Sequence, residues 1–88
     1  MKFTVAQIGD VTTNGNRIVK LSIDELVETD LGEERRAVSY YKAVKDGTLK
    51  KEVNDTVDIE LDDYHVVERP FVNPETDEEM ILKWLHLK

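Results

Sequence analysis

Residues 17–26 read RIVKLSIDEL, and apolar and polar side chains alternate through the centre of this stretch. The apolar parity comprises Val19, Leu21 and Ile23. Successive side chains of a β-strand point to opposite faces of a sheet, so this period of two predicts a strand with one buried face. Residues 56–62, TVDIELD, repeat the pattern with acidic residues on the polar side. The chain is therefore predicted to be a β protein.

Turn signals divide the rest of the chain into further strands. Asn14-Gly15 lies between two apolar runs, which is a strong hairpin signal because both residues tolerate positive φ. Thr48 can cap a short helical turn over residues 48–53, in which Leu49 lies four residues from a valine. The remaining predicted strands are residues 2–9, 35–44, 64–71 and 80–87.

These elements predict one domain, residues 1–88, with an all-β fold. We expect a small five- to six-stranded antiparallel barrel with one short helix, because closure of a sheet removes its exposed edges. The order is a first hairpin, a third strand, a short helix and a final hairpin, which is that of an OB fold. An SH3-like barrel is the alternative.

The third strand has two possible faces. One face carries Arg36, Tyr40 and Lys42, and burying it would bury two cations, which is costly unless they are paired. We therefore predict Tyr41 inside and Tyr40 outside. The predicted core comprises Phe3, Val5, Val19, Leu21, Ile23, Tyr41, Val57, Ile59, Leu61, Val67, Ile81 and Leu85.

Composition limits what the chain can be. It has 88 residues and no cysteine, so one core is feasible and neither a disulfide frame nor a thiolate metal site is expected. No apolar run approaches the roughly 18 residues of a membrane span, and the start of the chain does not resemble a signal peptide. We expect a soluble, cytoplasmic protein without membrane contact.

The net charge of −7 is unevenly distributed. Residues 55–79 hold ten acidic residues and one arginine, a net charge of −9, whereas residues 35–51 hold six cations and one aspartate, a net charge of +5. A domain with charges separated in this way can attract a polyanion on one side. The alternative is a charged surface that only keeps the protein in solution.

Motifs for metal binding or catalysis are not recognisable. Residues 58, 60 and 62 alternate as in an EF-hand loop, but Asp63 stands where that loop needs glycine and Arg69 where it needs glutamate. His65 and His86 have no recognised zinc spacing, and neither serine lies in a nucleophile motif. We predict no enzyme activity, no metal and no cofactor.

Cations and aromatic residues are interleaved in the third predicted strand. Proteins that bind single-stranded nucleic acids combine cations along the phosphate backbone with aromatic rings on which bases stack. We predict that Tyr40 stacks on a base and that neighbouring cations contact phosphates. The candidate nucleic-acid-binding residues are Arg17, Lys20, Arg35, Arg36, Tyr40, Lys42 and Lys45.

In size, strand order and this basic, aromatic third strand, the chain resembles the small OB-fold single-stranded-DNA-binding (helix-destabilising) proteins encoded by bacteriophages. The resemblance implies cooperative coating of single-stranded DNA by a small cytoplasmic dimer. The last predicted strand independently indicates a homodimer, because residues 80–87 are apolar on both parities and a small barrel cannot cover both faces. The alternative is an acidic protein-interaction module or a DNA-mimic inhibitor, which would contact a protein partner through acidic residues 58–63 and 75–79.

Overall fold

The computed structural model describes residues 1–88 as one six-stranded β-sheet. The strands are β1 (Lys2–Val11), β2 (Asn16–Thr29), β3 (Gly32–Lys45), β4 (Thr56–Asp58), β5 (Tyr64–Val72) and β6 (Glu79–Leu87). The single helical element is a 3-10 turn over Leu61–Asp63. The mainly β class is therefore confirmed, and no helical segment reaches the length and apolarity of a membrane span.

The strand order is β4-β1-β2-β3-β6-β5. Neighbouring strands are antiparallel except β3 and β6, which run parallel through Tyr40, Tyr41, Lys83 and Trp84. A parallel pair needs a long crossover connection, and here the whole of residues 46–78 provides it. The sheet is thus mixed, not purely antiparallel, and it is not closed into a barrel, because no ladder joins β4 to β5.

The short length of β4 explains the open edge. The predicted strand over residues 56–62 ends at Asp58, and the chain then leaves the extended path. Ile59 is buried against the inner face, and its backbone N–H donates to the carbonyl of Met1 at 2.9 Å. The five residues 59–63 therefore connect the two edge strands of the sheet without pairing them.

The predicted turn at Asn14-Gly15 is confirmed, although it is longer than two residues. The N–H of Gly15 donates to the carbonyl of Thr12 at 3.0 Å, and the N–H of Thr12 donates to the carbonyl of Asn16 at 2.6 Å. Gly15 has φ +78°, as expected for a three-residue loop that ends in a left-handed residue. No helix follows β3, in contrast to our prediction for residues 48–53.

The core lies on the inner face of the sheet and draws on four strands and the segment after β4. The buried residues are Phe3, Val5, Val19, Leu21, Tyr40, Ile59 and Leu85. The predicted core residues Ile23, Val57 and Leu61 are partly buried against this cluster, and Val67 is half-buried.

Three predicted core positions are wrong. Val67 lies on the outer face, because it is the register partner of Trp84 and not of the buried Leu85. Tyr41 lies on the opposite, outer face, because its neighbour Tyr40 takes the buried position. Ile81 is 68% exposed, since β6 is paired with β3 only near Lys83 and Trp84 and its first residues extend beyond the core.

Candidate nucleic-acid interface

Tyr40 lies on the inner face of β3, directly opposite the buried Leu21 of β2. Its ring packs edge-to-face against Phe3 with centroids 5.6 Å apart, and only 5% of the residue is exposed. Its phenol donates to Glu25 Oε1 at 2.8 Å. Burial, aided by this carboxylate, raises the pKa of Tyr40 to about 12. The prediction that Tyr40 stacks on a base from the outer face is wrong, because the ring has almost no free surface.

Arg36 and Lys42 share the inner parity of Tyr40, so their predicted position on the outer face is also wrong. Arg36 extends beyond the core, where its Nη2 lies 3.0 Å from Glu34 Oε2 in an exposed ion pair. Lys42 Nζ donates to the hydroxyl of Tyr64 at 2.9 Å and lies 5.0 Å from the centre of that ring. Neither cation is buried without a partner. The cost of burying unpaired cations, which was the reason for predicting this face outside, therefore does not arise.

Arg17 is also held by other groups of the protein. Its side chain lies 3.1 Å from Asp46 Oδ1 and donates to the carbonyl of Gly9 at 3.1 Å. These contacts tie the start of β2 to β1 and to the turn after β3. Binding of a phosphate by Arg17 would compete with both contacts.

The outer face carries a pair of aromatic rings. Tyr41 on β3 and Trp84 on β6 are register partners, with ring centroids 5.5 Å apart and planes inclined by 35°. Lys20 lies directly opposite Tyr41 on β2, and Val67 lies directly opposite Trp84 on β5. A row of four adjacent strands therefore presents a lysine, two aromatic rings and a valine at one level of the sheet.

Three predicted cations share this outer face. Arg35 and Lys45 have the same parity as Tyr41 along β3, and Lys20 is its cross-strand partner. None of the three forms a salt bridge or a side-chain hydrogen bond. They are free to contact an anionic ligand.

A groove of about 580 Å³ opens beside Trp84, between β3 and the final hairpin, and its wall also includes Lys42 and Tyr64 of the inner face. Trp84 forms one part of its wall, and Arg69, Phe71, Leu82 and His86 form others. Arg69 forms no salt bridge, so the groove adds a fourth free cation beside the aromatic pair. Arg69 was not among the predicted nucleic-acid-binding residues, since it is the only cation in the acidic segment 55–79.

Tyr41 was predicted to pack inside. The sequence does carry a signal for the observed parity, since Glu34 and Arg36 are two residues apart on one strand and can neutralise each other. The pairing of Trp84 with Tyr41 has no local signal, because it depends on the parallel contact between β3 and β6.

The acidic residues of the alternative interaction surface, 58–63 and 75–79, lie away from the Tyr41–Trp84 pair. Asp58 and Glu60 flank the open edge, where the α-ammonium group of Met1 lies 2.9 Å from Asp58 Oδ1 and 3.5 Å from Glu60 Oε1. This ammonium group lowers the pKa of the Asp58 carboxyl. Residues 75–79 form the exposed turn into β6. Lys20, Tyr41 and Trp84 have no acidic register partner, whereas Asp24, Glu28 and Glu33 lie on the outer face further along β2 and β3.

The two histidines are brought together, although their spacing gave no reason to expect it. His65 and His86 are register partners on β5 and β6. No group of three or more histidine, aspartate or glutamate side chains is placed to hold a metal ion, so the pair lacks further protein ligands.

The outer face offers two chemical capabilities next to each other. The tilted Tyr41–Trp84 pair can stack on planar rings, and Lys20, Arg35, Lys45 and Arg69 can meet negative charge. The chain matches no protein-family model, no curated protein and no solved structure.

Proposed function

We propose that this protein binds single-stranded DNA or RNA, with little sequence preference, through the outer face of β2, β3 and β6. The observation that carries the proposal is the Tyr41–Trp84 pair with Lys20 directly opposite Tyr41. Base stacking on an aromatic side chain contributes about 1–3 kcal/mol per base, and every base offers a face to stack. Tyr41 and Trp84 take the role that the sequence suggested for Tyr40.

The position of this face in the sheet supports the same proposal. In OB folds the surface of the second and third strands is the usual site for oligonucleotides, and Lys20 and Tyr41 lie on β2 and β3. The resemblance to the small helix-destabilising proteins of bacteriophages points to the same class of ligand. A cytoplasmic location, where single-stranded nucleic acids arise, is part of this proposal.

The test is a salt titration of binding to a labelled oligothymidylate. Each phosphate neutralised on a single strand should contribute about −0.7 to the slope of log affinity against log salt. Trp84 is the only tryptophan, so its fluorescence reports directly on the proposed face. We expect binding at low salt with quenching of this fluorescence. Absence of binding at about 20 mM salt, or binding without any change at Trp84, would contradict the proposal.

We also propose that the protein forms a homodimer through the turn end of the β5–β6 hairpin. The exposed apolar residues there are Phe71, Val72, Met80 and Ile81. β5 is an edge strand of nine residues, and Pro70 removes only one of its backbone donors. A self-complementary patch of this kind is what a two-fold interface requires.

The second candidate function is a protein-interaction module with an acidic contact surface. Asp62 and Asp63 of the 3-10 turn are exposed and form no salt bridge, as are the acidic residues of 75–79. Asp58 and Glu60 are less suited to this role, because the Met1 ammonium group already lies against them. The oligonucleotide titration separates the two functions, since an acidic module should repel the probe.

A further inference from the structure

A second cavity, of about 250 Å³, opens on the inner face, on the opposite side of the sheet from Tyr41 and Trp84. Val19, Leu21 and Ile59 form the apolar part of its wall, and all three are buried core residues. Leu49, half-buried against the core, closes one side. The cavity is therefore an apolar hollow of the inner face that is open to solvent on one side and distinct from the outer face.

The polar part of the wall is entirely cationic or neutral. It consists of Thr48 and three lysines, Lys42, Lys50 and Lys51, with no acidic residue among them. None of these lysines forms a salt bridge. In a chain with a net charge of −7, a local group of three lysines without a carboxylate favours an anionic ligand.

The loop after β3 places two of these lysines over the cavity. Thr48 Oγ1 donates to the carbonyl of Lys45 at 2.6 Å, which turns the chain back across the inner face. The loop is then fixed to β1 at Val5, whose N–H donates to the carbonyl of Asp55 and whose carbonyl accepts from the N–H of Asn54, each at 2.8 Å. The predicted helix over residues 48–53 is therefore replaced by an irregular loop that crosses the inner face.

We propose that this cavity binds an amphipathic organic monoanion, with its apolar body against the half-buried Val44, Leu49 and Val57 over a floor of core residues and its carboxylate at Lys50 and Lys51. A cavity of about 150 Å³ accommodates benzene, so 250 Å³ suits a ligand of about ten non-hydrogen atoms. Hydrogen bonds between ammonium and carboxylate groups are about twice as strong as neutral ones, which provides selectivity for the charged head. The proposal is independent of nucleic-acid binding, because it uses the other face of the sheet.

The experiment is a methyl-resolved NMR titration of the full chain with octanoate, 1-octanol and acetate. We expect octanoate to shift the methyl signals of Val44, Leu49 and Val57, with at least about tenfold tighter binding than 1-octanol and none by acetate. Equal affinity for octanoate and 1-octanol would overturn the proposal. So would an absence of shifts up to millimolar octanoate, or shifts confined to the groove beside Trp84.

A matched pair of variants tests the charged end. The double variant Lys50→Gln/Lys51→Gln should weaken octanoate binding about tenfold and leave 1-octanol binding unchanged. Lys45→Gln removes a lysine outside the cavity and should leave both affinities unchanged. All three residues are exposed, so the variants are expected to fold, which unchanged methyl spectra without ligand would verify. An identical loss of octanoate binding in both proteins would contradict the assignment of Lys50 and Lys51.

Discussion

The phenol of Tyr40 donates a 2.8 Å hydrogen bond to Glu25 Oε1, which joins β3 to β2 at the end of the core. Beyond this level the two strands pair only with each other, because β1 pairs with β2 no further than Ser22 and β6 pairs with β3 only at Tyr40 and Tyr41. The contact holds Tyr40 on the inner face. Its neighbour Tyr41 is thereby directed to the outer face, where it meets Trp84.

The Tyr40–Glu25 contact predicts a pH dependence of stability. The pKa of Tyr40 is raised from 10.0 to about 12 in the folded protein, because burial and Glu25 disfavour the phenolate. Its contribution is therefore complete below pH 10 and is lost as the pH rises through 12. Two pKa units correspond to about 2 to 3 kcal/mol, an order-of-magnitude value for the loss. Tyr40→Phe cannot ionise and should not show this loss.

The measurement compares urea unfolding of the wild type and Tyr40→Phe at several pH values. Their difference in unfolding free energy should be constant up to about pH 9, and the wild type should then lose stability relative to the variant. Other groups titrate in both proteins and cancel in the comparison. Parallel curves up to pH 12 would show that Tyr40 ionises no differently in the folded state.

The core assignment predicts that two similar substitutions lower the unfolding free energy by very different amounts. Leu21 is 3% exposed in the centre of the core, so Leu21→Ala should lower the unfolding free energy by about 2–5 kcal/mol. Ile81 is 68% exposed, so Ile81→Ala should change it by less than about 0.5 kcal/mol. Urea denaturation below the dimerisation concentration measures both. Similar losses in the two variants would place Ile81 in the core and contradict the structure of β6.

The strands could be predicted where the sequence pattern allows one answer. Residues 19–24 and 56–62 have apolar side chains on one parity only, and Val19, Leu21 and Ile59 are buried as predicted. The closure of the sheet could not be predicted, because the alternating pattern through residues 56–62 continues past the point where β4 ends. After Asp58 the chain leaves the sheet and enters the 3-10 turn over Leu61–Asp63, which the local alternation does not indicate.

The candidate site was predicted only in part. The two faces of the third strand were assigned from the cost of burying cations, without knowledge of the groups that pair with them. A shift of one residue exchanges the two faces of a strand, so assigning Tyr41 inside also misplaced its neighbours. The assumed cost of placing Lys42 inside disappears because the Tyr64 hydroxyl, 22 residues away, accepts its hydrogen bond. Arg35 and Lys45 share the parity of Tyr41, so the structure places them beside Lys20 on the outer face, although that side of the third strand was predicted to lie inside.

The proposed dimer predicts that one exposed residue controls association. Ile81→Glu places a charge in the apolar patch of the β5–β6 hairpin and should shift the protein toward a 10.2 kDa monomer in sedimentation at high micromolar concentration. Leu26→Glu alters a residue of similar exposure, 63%, on the other hairpin and should leave association unchanged. A wild type that remains a monomer at these concentrations would exclude the proposed interface.

Stacking on the outer face predicts a loss of affinity that is independent of salt. Tyr41→Ala should weaken oligothymidylate binding by about 1–3 kcal/mol, with nearly the same loss at each salt concentration, because stacking is not ionic. Tyr41→Phe keeps the ring and should bind almost as the wild type does. Fluorescence anisotropy of the labelled probe measures both. If Tyr41→Ala bound normally, the aromatic pair would not be the site of contact.

The free cations of the outer face predict that the salt dependence of oligonucleotide binding responds to substitution of Lys20 and not of Arg36. Lys20 lies opposite Tyr41 without an ionic partner, so Lys20→Gln should reduce the magnitude of the log–log salt slope by about 0.7, one phosphate on a single strand. Arg36 is already paired with Glu34 at 3.0 Å on the inner parity, so Arg36→Gln should leave the slope unchanged. The affinity of each variant for the oligothymidylate would be measured from about 20 to 200 mM salt. A reduced slope for Arg36→Gln with an unchanged slope for Lys20→Gln would mean that the ligand follows the inner side of the β2–β3 hairpin and not the Tyr41–Trp84 face.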